Sequence, residues 1–479
     1  MKLFITLLMS TLFLFASSHT EDVTKQAIVK IYTTAKIPNY QAPWSSSMRS
    51  STGSGAIIEG GYILTNAHVV ANQAFMEVQR YGQRKRYIAK VYAVSHQADL
   101  ALLKVEEKAF FEGVKPLTFG ELPNVEQRIV VYGYPMGGST LSATIGVVSR
   151  VEHHTYAHSG ETFLAVQVDA AVNPGNSGGP ALSDGKIVGV VMQVISKSQN
   201  IGYLVPVNLV KHFIEDMKDN NYDGFADLGL GTQKLENPAI RRYYGLDDNS
   251  SGKLINKVVH NSTLAGILEV GDILTSVDGH NIEDDGTVEF RKHEYTYFHH
   301  FVDLYQMGDT VELEILRDRI PMKVDALLKH TSDDMFLVKT TRYDTMPSYF
   351  IYGGYVFSPL TRNLIVSTKR NRVKLSALAS QWQESDKDEV VVLLKVLASD
   401  ISRGDNNFGM WPIDMVNGET FKDFEEFYQK MEAVTAPYIV LEDKHGVQVI
   451  IDKKEAQAKQ DEILKKYNIE FGKSIDLRE

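Results

Sequence analysis

The sequence predicts a mainly β protein in which one large domain of short strands is followed by two smaller α+β units. From Val23 to about Pro206, short apolar or alternating runs recur between Gly, Asn, Asp and Pro residues. This pattern is typical of a sandwich or barrel and not of alternating strands and helices. One helical pattern follows, and the rest of the chain repeats a single order of elements. A length of 479 residues exceeds what one hydrophobic core serves, so we expect several domains.

The strands of the large domain follow from its apolar runs, and its end follows from one helix. The runs are "AIVKIY", "GAIIEGGYILT", "RIVVYGYP", "TIGVVSRVE", "FLAVQVD" and "KIVGVVMQVI". The segment "NLVKHFIEDMKDNN" predicts a helix that begins at Asn208, a favourable N-cap residue, with apolar side chains on one face. The polar cluster "DNNYDGFAD" after it indicates a domain boundary. We therefore place the large domain at residues 19–220.

The two smaller units show a weak internal repeat. In the second unit, residues 225–329, "ILTSVDGHNI" has an apolar strand, a turn with Gly and a polar lead-in, and "PIDMVNGETF" repeats that order in the third unit, residues 332–453. "YTYFHHFVDLYQMGD" is expected to form a helix that ends near Gly308, and "TVELEIL" alternates as a strand does. The charged residues 454–479 are predicted to form a solvated helical tail.

The N-terminus "MKLFITLLMSTLFLFASSHTED" reads as a signal peptide. Lys2 supplies the positive charge, residues 3–15 form an apolar run, and Ala16 and Ser18 are small residues at the cleavage region. We expect residues 1–18 to be removed by a cut near Ser18–His19. A spanning helix needs about 18–20 apolar residues, so no stable membrane span is expected. We therefore expect an exported protein, and the periplasm is the expected location.

Composition excludes several functional classes. Hydrophobic residues make up 43% and charged residues 23%, as in an ordinary globular protein. The formal net charge of −10 argues against nucleic-acid binding, which usually needs a basic face. The basic run "RYGQRKRY" is expected to be a solvated hairpin. The chain has no cysteine, which excludes disulfides and thiol catalysis.

The stretch "DAAVNPGNSGGP", Asp169–Pro180, surrounds Ser177 with residues that shape a backbone. A serine hydroxyl is a weak nucleophile unless a neighbouring base takes its proton and a third group orients that base. "GNSGG" also fits the nucleophile elbow of α/β-hydrolases, but that elbow continues into a helix. Gly178, Gly179 and Pro180 oppose a helix, and the best histidine precedes the serine. We therefore reject the elbow.

A base and an orienting acid lie upstream. "GGYILTNAHVV" places His68 just past a strand among small and apolar residues, and "HQADLALLKV" places Asp99 at the start of an apolar run. A carboxylate there needs a partner, and an imidazole N–H is a suitable one. The order His68, Asp99, Ser177 is that of the chymotrypsin-like triad. We expect His68 to act as general base and then acid, Asp99 to orient it, and Ser177 to form the acyl-enzyme.

The glycines before the serine suit an oxyanion hole. The expected site comprises Gly175, Asn176 and Ser177, and its donors are the N–H groups of Ser177 and of the residue two before it. Gly175 can adopt a positive φ, which lets its N–H be aimed inward. Pro174 stiffens the approach to this turn.

At this point the sequence resembles the HtrA/Deg serine proteases, through "TNAHVV", "ADLALLKV" and "DAAVNPGNSGGPAL", with "GSGAII" before and "NIGYLVPVNLV" after. The resemblance implies a chymotrypsin-like double β-barrel protease domain followed by PDZ-like α+β domains. It implies a serine endopeptidase that cleaves unfolded or damaged polypeptides without ATP and without a cofactor. "GFADLGLGTQKLENPAIRRYYGL" is similar to the first PDZ domain of the Deg branch known from plants, whose second PDZ domain is degenerate. The family also implies a homo-oligomer, a trimer or a multiple of trimers.

Two binding sites follow from the resemblance. Asp227, Leu228, Gly229 and Leu230 match the PDZ loop that receives a peptide carboxylate, and backbone N–H groups in a Gly turn can bind such an anion. Ala171 stands where a trypsin-like enzyme places a carboxylate, so we expect no preference for basic residues. An apolar substrate pocket for aliphatic side chains is expected from the following residues: Met192, Val194, Ile201 and Leu204.

Two alternatives remain at this stage. "EHHTYAH" brings His153, His154 and His158 close in sequence, but no Cys, Asp or Glu stands at ligand spacing, so we expect a surface loop and no metal site. The alternative to an enzyme is a chaperone or peptide-binding scaffold with a silenced or strongly regulated protease domain.

Overall fold

A computed structural model describes residues 23–136, 138–192, 201–247, 250–369 and 372–478. The predicted signal peptide lies outside the described residues. The first domain consists of two closed six-stranded antiparallel barrels, so the expected mainly β architecture with a double barrel is confirmed. None of the helices in the described ranges combines the length and apolar character that a membrane crossing requires.

The first barrel runs in the order β1-β2-β3-β6-β5-β4. Its strands are β1 (Ile28–Pro38), β2 (Ser46–Ile58), β3 (Tyr62–Thr65), β4 (Gln73–Arg80), β5 (Tyr87–Ser95) and β6 (Leu100–Val105). The one-turn helix α1 (Ala67–Val70) follows β3. The basic run lies in the β4–β5 hairpin, where its side chains are mostly exposed.

The second barrel runs in the order β10-β11-β12-β9-β8-β7. Its strands are β7 (Arg128–Gly133), β8 (Ser142–Thr155), β9 (Thr162–Val168), β10 (Pro180–Ser183), β11 (Lys186–Val191) and β12 (Gly202–Pro206). Helix α2 (Val207–Asp216) follows at once, and it begins one residue earlier than predicted. Its N-cap is Pro206 and not Asn208, because β12 leads into the helix without an intervening turn.

The second unit is a five-stranded antiparallel sheet in the order β13-β14-β15-β19-β20, with β16 paired to β15 and a separate hairpin β17–β18. Its elements are β13 (Leu230–Lys234), α3 (Pro238–Tyr244), β14 (Lys253–Val258), β15 (Ile273–Val277), β16 (His280–Asn281), β17 (Thr287–Arg291), β18 (Glu294–Tyr297), α4 (His299–Val302), β19 (Thr310–Arg317) and β20 (Ile320–Leu327). The helix predicted over "YTYFHHFVDLYQMGD" is wrong for its first residues, which form β18. Aromatic and β-branched residues there favour the extended hairpin, and only one helical turn, α4, remains.

The third unit contains two four-stranded sheets, β21-β22-β23-β24 and β26-β25-β27-β28. Its strands are β21 (Phe350–Tyr352), β22 (Tyr355–Pro359), β23 (Val391–Val396), β24 (Gly409–Ile413), β25 (Met415–Val416), β26 (Glu419–Thr420), β27 (Tyr438–Glu442) and β28 (Gln448–Asp452). Its helices are α5 (Ser332–Met335), α6 (Arg362–Ser367), α7 (Arg372–Leu378), α8 (Phe424–Ala433) and α9 (Lys453–Lys466).

The C-terminal segment packs into the third unit instead of forming a separate solvated tail. Ala456 and Ile463 of α9 are buried in its two hydrophobic clusters. After α9 the chain returns to β21, where the Ile351 N–H donates to the Gly472 carbonyl at 2.7 Å. The charged face of α9 predicted a surface helix, but the spacing of its few apolar residues was the signal for this docking.

Candidate active site

His68 and Asp99 form a tightly coupled pair in the first barrel. His68 lies on α1, and Asp99 lies in the turn before β6 with a φ of +54°. The imidazole Nδ1 is 2.7 Å from Asp99 Oδ2, and the His68 backbone N–H donates to Asp99 Oδ1 at 2.9 Å. Both carboxylate oxygens thus hold one residue, which fixes the ring orientation and leaves Nε2 for another partner.

The electrostatics of the pair follow from its burial. Burial alone lowers the pKa of His68, but the charge and hydrogen bond of Asp99 raise it above the ordinary value of 6.5. Burial raises the pKa of Asp99, and the neighbouring His68 outweighs this effect and lowers it. The Asp99 side chain is 1% exposed and that of His68 22%. The dyad is therefore a charged acid and a base that solvent and substrate can reach.

Ser177 comes from the second barrel, on the loop between β9 and β10. Its carbonyl accepts the Ser54 N–H at 2.9 Å, and the residue is half-buried. In the described part of the chain the hydrogen bonds of the His68 side chain go to Asp99, so its bond to the Ser177 hydroxyl is not made. Such bonds are often long in substrate-free enzymes. The serine loop thus lies at the junction of the two barrels, where a Cβ at Gly178 would be 3.1 Å from the backbone nitrogen of Asn66, two residues before His68.

The turn at Gly175 presents free backbone donors. The Pro174 carbonyl accepts the Met136 N–H at 2.7 Å, and because the peptide is trans the Gly175 N–H points to the opposite side. Neither the Gly175 nor the Ser177 N–H bonds to any described residue. Gly175 has a φ of +100°, and a Cβ there would lie 2.5 Å from the Tyr134 carbonyl oxygen. Only glycine fits this position.

The Asn176 N–H, which the sequence placed in the same site, is not available to an oxyanion. It donates to the Asn173 carbonyl at 3.0 Å and closes the turn that carries Gly175 and Ser177. Asn176 is 2% exposed. Its backbone therefore shapes the turn, and the donor pair reduces to the other two residues.

Gly178 and Gly179 let the serine loop approach both barrels closely. A Cβ at Gly178 would lie 2.1 Å from Thr65 Oγ1, and one at Gly179 would lie 2.0 Å from the Tyr132 carbonyl oxygen. The sequence showed only that these residues oppose a helix. Their positions show a second reason for glycine, which is the lack of space for any side chain.

Ser54, a residue that the sequence analysis did not single out, ties this loop to the first barrel. Its hydroxyl donates to the Gly175 carbonyl at 2.7 Å and accepts the Tyr134 N–H at 2.8 Å. Its backbone N–H holds the Ser177 carbonyl, and the residue is fully buried. The serine of "GSGAII" was the sequence feature that could have indicated this role.

The expected substrate pocket is only partly described. Met192 and Leu204 are buried, Ile201 is half-buried, and Val194 lies outside the described residues. Ala171 is exposed, and its carbonyl accepts the Thr144 hydroxyl at 3.2 Å. Met192 and Leu204 belong to the cores of the barrels, and the apolar substrate pocket stays a prediction.

The expected carboxylate loop, Asp227–Leu230, precedes β13 at one edge of the second unit's sheet. The Gly229 N–H donates to Asp227 Oδ1 at 2.7 Å, so this donor is used within the loop. Met335 is fully buried over the turn, and its Sδ would lie 2.7 Å from a Cβ at Gly229. A carboxylate could enter only after Met335 moves.

The three clustered histidines separate in the fold. His153 faces the second unit, with Nδ1 2.7 Å from the Thr296 hydroxyl, and His154 stacks on Tyr203. His158 instead lies beside the catalytic pair, with its ring 6.1 Å from that of His68. Across the described ranges no three acidic or histidine side chains converge as a metal site requires.

Family comparisons cover both ends of the chain. A trypsin-like peptidase domain matches residues 53–190 and a PDZ domain matches residues 338–476. The putative mitochondrial protease Do-like 3 of Arabidopsis thaliana is 36% identical over 459 residues, which is 95% of this chain and 81% of that relative. The mitochondrial protease Do-like 4 of the same plant is 35% identical over 462 residues, 96% of this chain and 87% of that relative.

The structural comparison agrees at the level of the fold. The HtrA-type protease AlgW with a decapeptide has a TM-score of 0.50 and 23% identity, and covers 65% of this chain and 98% of that chain. The PDZ match falls on the third unit and includes most of the residues predicted as a tail. A trypsin-like barrel pair, PDZ homology and full-length similarity to Do-like proteases together identify the chain as a serine endopeptidase of the HtrA/Deg family.

Proposed function

We propose that the protein is an ATP-independent serine endopeptidase of protein quality control, which degrades unfolded or damaged polypeptides through an acyl-enzyme. One observation carries this proposal: His68 is held by both oxygens of Asp99, while the Gly175 and Ser177 N–H groups are free. The base and the two oxyanion donors then lie near the nucleophile, at the junction of the two barrels.

The chemistry proceeds in two half-reactions. Nε2 of His68 takes the Ser177 hydroxyl proton as Oγ attacks the scissile carbonyl, and the carbonyl oxygen becomes an oxyanion bound by the two free N–H groups. The protonated imidazole, stabilised by Asp99, gives its proton to the leaving amine. A water then attacks the acyl-enzyme by the same route and returns Ser177 to its starting state. No step uses a nucleotide or a cofactor.

The PDZ units supply substrate recognition in this proposal. The described sheet leaves one edge of β13 without a paired strand, and an extended peptide can add to such an edge. Its C-terminal carboxylate would enter at Asp227–Leu230 once Met335 is displaced. We also propose a homo-oligomer, a trimer or a multiple of trimers, on the family resemblance.

The location rests on the predicted leader. We propose that the leader takes the protease out of the cytosol to a membrane-bounded compartment. The relatives named for mitochondria and for the chloroplast favour an organelle over the periplasm. Fractionation of cells that express the tagged chain, with and without residues 1–18, tests this directly.

Casein digestion tests the activity. Wild type is expected to digest casein, an unfolded substrate, with no dependence on ATP, and Ser177→Ala is expected to abolish digestion. Equal digestion by the variant would exclude the assignment of Ser177. If wild type binds unfolded casein without cutting it, the result would favour the regulated scaffold. Two observations are compatible with that alternative, namely the unmade bond between His68 and Ser177 and the position of Met335 over the carboxylate loop.

A further inference from the structure

The N-terminal segment of the third unit, residues 339–348, runs across the first barrel next to the His68–Asp99 pair. Asp344 Oδ2 is 2.9 Å from His96 Nε2, and Asp344 Oδ1 accepts the Asn72 backbone N–H. The Asp344 N–H in turn donates to the Asn72 side chain at 2.8 Å. His96 lies three residues before Asp99, and Asn72 lies four residues after His68. The segment is thus fixed to the backbone that carries the dyad.

Three aromatic rings extend outward from the catalytic imidazole. His96 Nδ1 is 2.9 Å from His158 Nε2, which joins the two rings edge to edge. Tyr343 stacks on both, with ring centroids 4.0 Å from His158 and 4.5 Å from His96. The Tyr343 hydroxyl donates to the His158 carbonyl at 2.7 Å. Tyr343 therefore packs against the His96–His158 pair, and the ring centroid of His158 lies 6.1 Å from that of His68.

The polar contacts of these rings are not made with the serine. Within the described residues, the polar contacts of Tyr343 and Asp344 go to His96, His158 and Asn72. None goes to Ser177, which stays half-buried with its N–H free. This pattern of contacts fits a side wall of the cleft better than a plug.

A groove of about 530 Å³ lies between the first barrel and this segment. Val70, two residues after His68, lines it together with other apolar residues, among them Val91, Val94 and Met346. Its lining also includes polar residues: Lys36, Asn72, Gln73, Asp344 and Thr345. An extended polypeptide on this side would therefore meet a mixed surface with apolar patches.

The chemistry of the wall selects against a negative charge. Burial is the main reason that the pKa of His158 falls to about 4, so this ring is neutral under physiological conditions. An aromatic or aliphatic side chain can pack on neutral rings. A carboxylate side chain there would face Asp344 and the buried charge of Asp99.

We propose that Tyr343, with the His96–His158 pair that Asp344 holds, forms one wall of the substrate cleft and selects an aromatic or apolar side chain over an acidic one next to the scissile bond. This inference rests on the proposed protease function. It makes the N-terminal segment of the third unit a determinant of cleavage specificity, although Tyr343 lies more than 160 residues after Ser177.

The test is a cleavage profile of the full chain on a peptide library, for wild type, Tyr343→Ala, Tyr343→Phe and Asp344→Asn. Tyr343→Ala is expected to reduce the aromatic and apolar preference at one substrate position by about tenfold or more, the usual size of one lost packing contact. Tyr343→Phe is expected to retain the preference because it keeps the stacked ring. The exposed Tyr438→Ala in the third unit is the matched control and should leave the profile unchanged.

Each other outcome has a meaning. Uniformly faster cleavage of all peptides by Tyr343→Ala would show a plug and overturn the wall, as would an unchanged profile. If Tyr343→Ala fails to fold, Asp344→Asn decides, because loosening the histidine pair must weaken the same preference. Fluorophosphonate labelling of wild type separates the proposed protease function from the proposed wall. No labelling refutes the protease function, whereas labelling together with an unaltered cleavage profile in Tyr343→Ala refutes only the wall.

Discussion

At the scale of single residues, the serine loop depends on contacts that hold its backbone. Gly175, Gly178 and Gly179 each occupy a place where a Cβ would collide with neighbouring atoms. Ser54 adds the hydroxyl that holds the Gly175 carbonyl. Because the peptide plane before Gly175 aims a donor, any rotation there removes transition-state stabilisation.

Ser54→Ala tests this restraint. The variant loses both hydroxyl bonds, so we expect kcat to fall by about tenfold, with KM nearly unchanged, because the donors act on the transition state. Steady-state kinetics on a peptide substrate give both values. Ser47→Ala, an exposed position on the same strand, is the control. An unchanged kcat in Ser54→Ala would show that the hydroxyl does not position the loop.

The His68–Asp99 pair predicts a pH profile. Only neutral His68 can accept the serine proton, and Asp99 raises the pKa of His68 above 6.5. The kcat/KM is therefore expected to rise with pH through an apparent pKa above that value. Asp99→Asn should lower this apparent pKa and reduce kcat by about 10⁴-fold. A variant profile that coincides with that of wild type would contradict the role of Asp99.

At the scale of elements, two sequence patterns predicted the barrel strands. Strand β1 alternates buried and less buried positions over much of its length, whereas β9 and β12 are largely apolar and buried almost throughout. The helix expected over residues 295–309 was wrong for its first residues, which form β18 and pack against the protease domain, where His153 meets Thr296 and Tyr297. Their aromatic and β-branched types favour a strand, and the helical spacing did not report this tertiary contact.

The contact between β8 and α4 contains an unusual buried carboxyl. Asp303 is 4% exposed, and its Oδ2 is 3.7 Å from His153 Nε2. Burial raises the pKa of Asp303 to about 7. Burial lowers the pKa of His153 and of His300 to about 4. Above pH 7 the carboxylate is therefore charged while both histidines are neutral.

The contact is consequently expected to be sensitive to pH. The raised pKa of Asp303 favours the docked state at low pH, and this contribution is lost as pH rises from about 4 to about 7. The lowered pKa values of His153 and His300 act in the opposite sense, because below about pH 6.5 the undocked imidazoles bind protons that the docked ones do not. Two groups oppose one, so the docked state is expected to weaken as pH falls. Because the chain has no cysteine, spin labels on Thr155→Cys and Leu304→Cys can report the distance between the two units. The distance distribution should be broader at about pH 5 than at about pH 8.

Asp303→Asn removes the opposing contribution of the carboxyl, because the amide keeps the shape and cannot ionise. The variant should therefore broaden more than wild type at low pH. Equal broadening in the variant and in wild type would mean that Asp303 does not influence the contact.

At the scale of the whole molecule, the loop between β1 and β2 of the first barrel packs against the third unit. Trp44 meets the Tyr349 ring edge-on at 6.0 Å between centroids, and the Lys395 ammonium lies 5.7 Å from the Trp44 ring centroid. The Tyr40 hydroxyl donates to the Arg342 carbonyl at 3.4 Å. This loop therefore holds the segment that carries Tyr343.

Trp44→Ala is expected to weaken the packing between this loop and the third unit. The loss of a half-buried indole should cost roughly 1–3 kcal/mol and expose residues 339–348 to limited proteolysis. Met48→Ala, 62% exposed in the following strand, is the control and should leave the digestion pattern unchanged. Equal protection of the segment in Trp44→Ala would mean that other contacts hold the third unit in place.

The candidate site was predictable only where its parts lie in local patterns. His68, Asp99 and Ser177 each follow or precede a strand with a recognisable motif, and their order indicated the triad. Tyr343 lies in an irregular segment whose position depends on how three units pack. Its proximity to His68 follows from contacts between residues hundreds of positions apart, which no local pattern encodes.

Active-site labelling with mass-spectrometric mapping tests directly whether His68 activates Ser177. After reaction of the full chain with a fluorophosphonate, the adduct is expected on the peptide that contains Ser177, with none in Ser177→Ala. In His68→Ala the labelling rate should fall by at least about 10³-fold, because the nucleophile loses its base. An adduct on another residue, or labelling of His68→Ala at the rate of wild type, would contradict this activation.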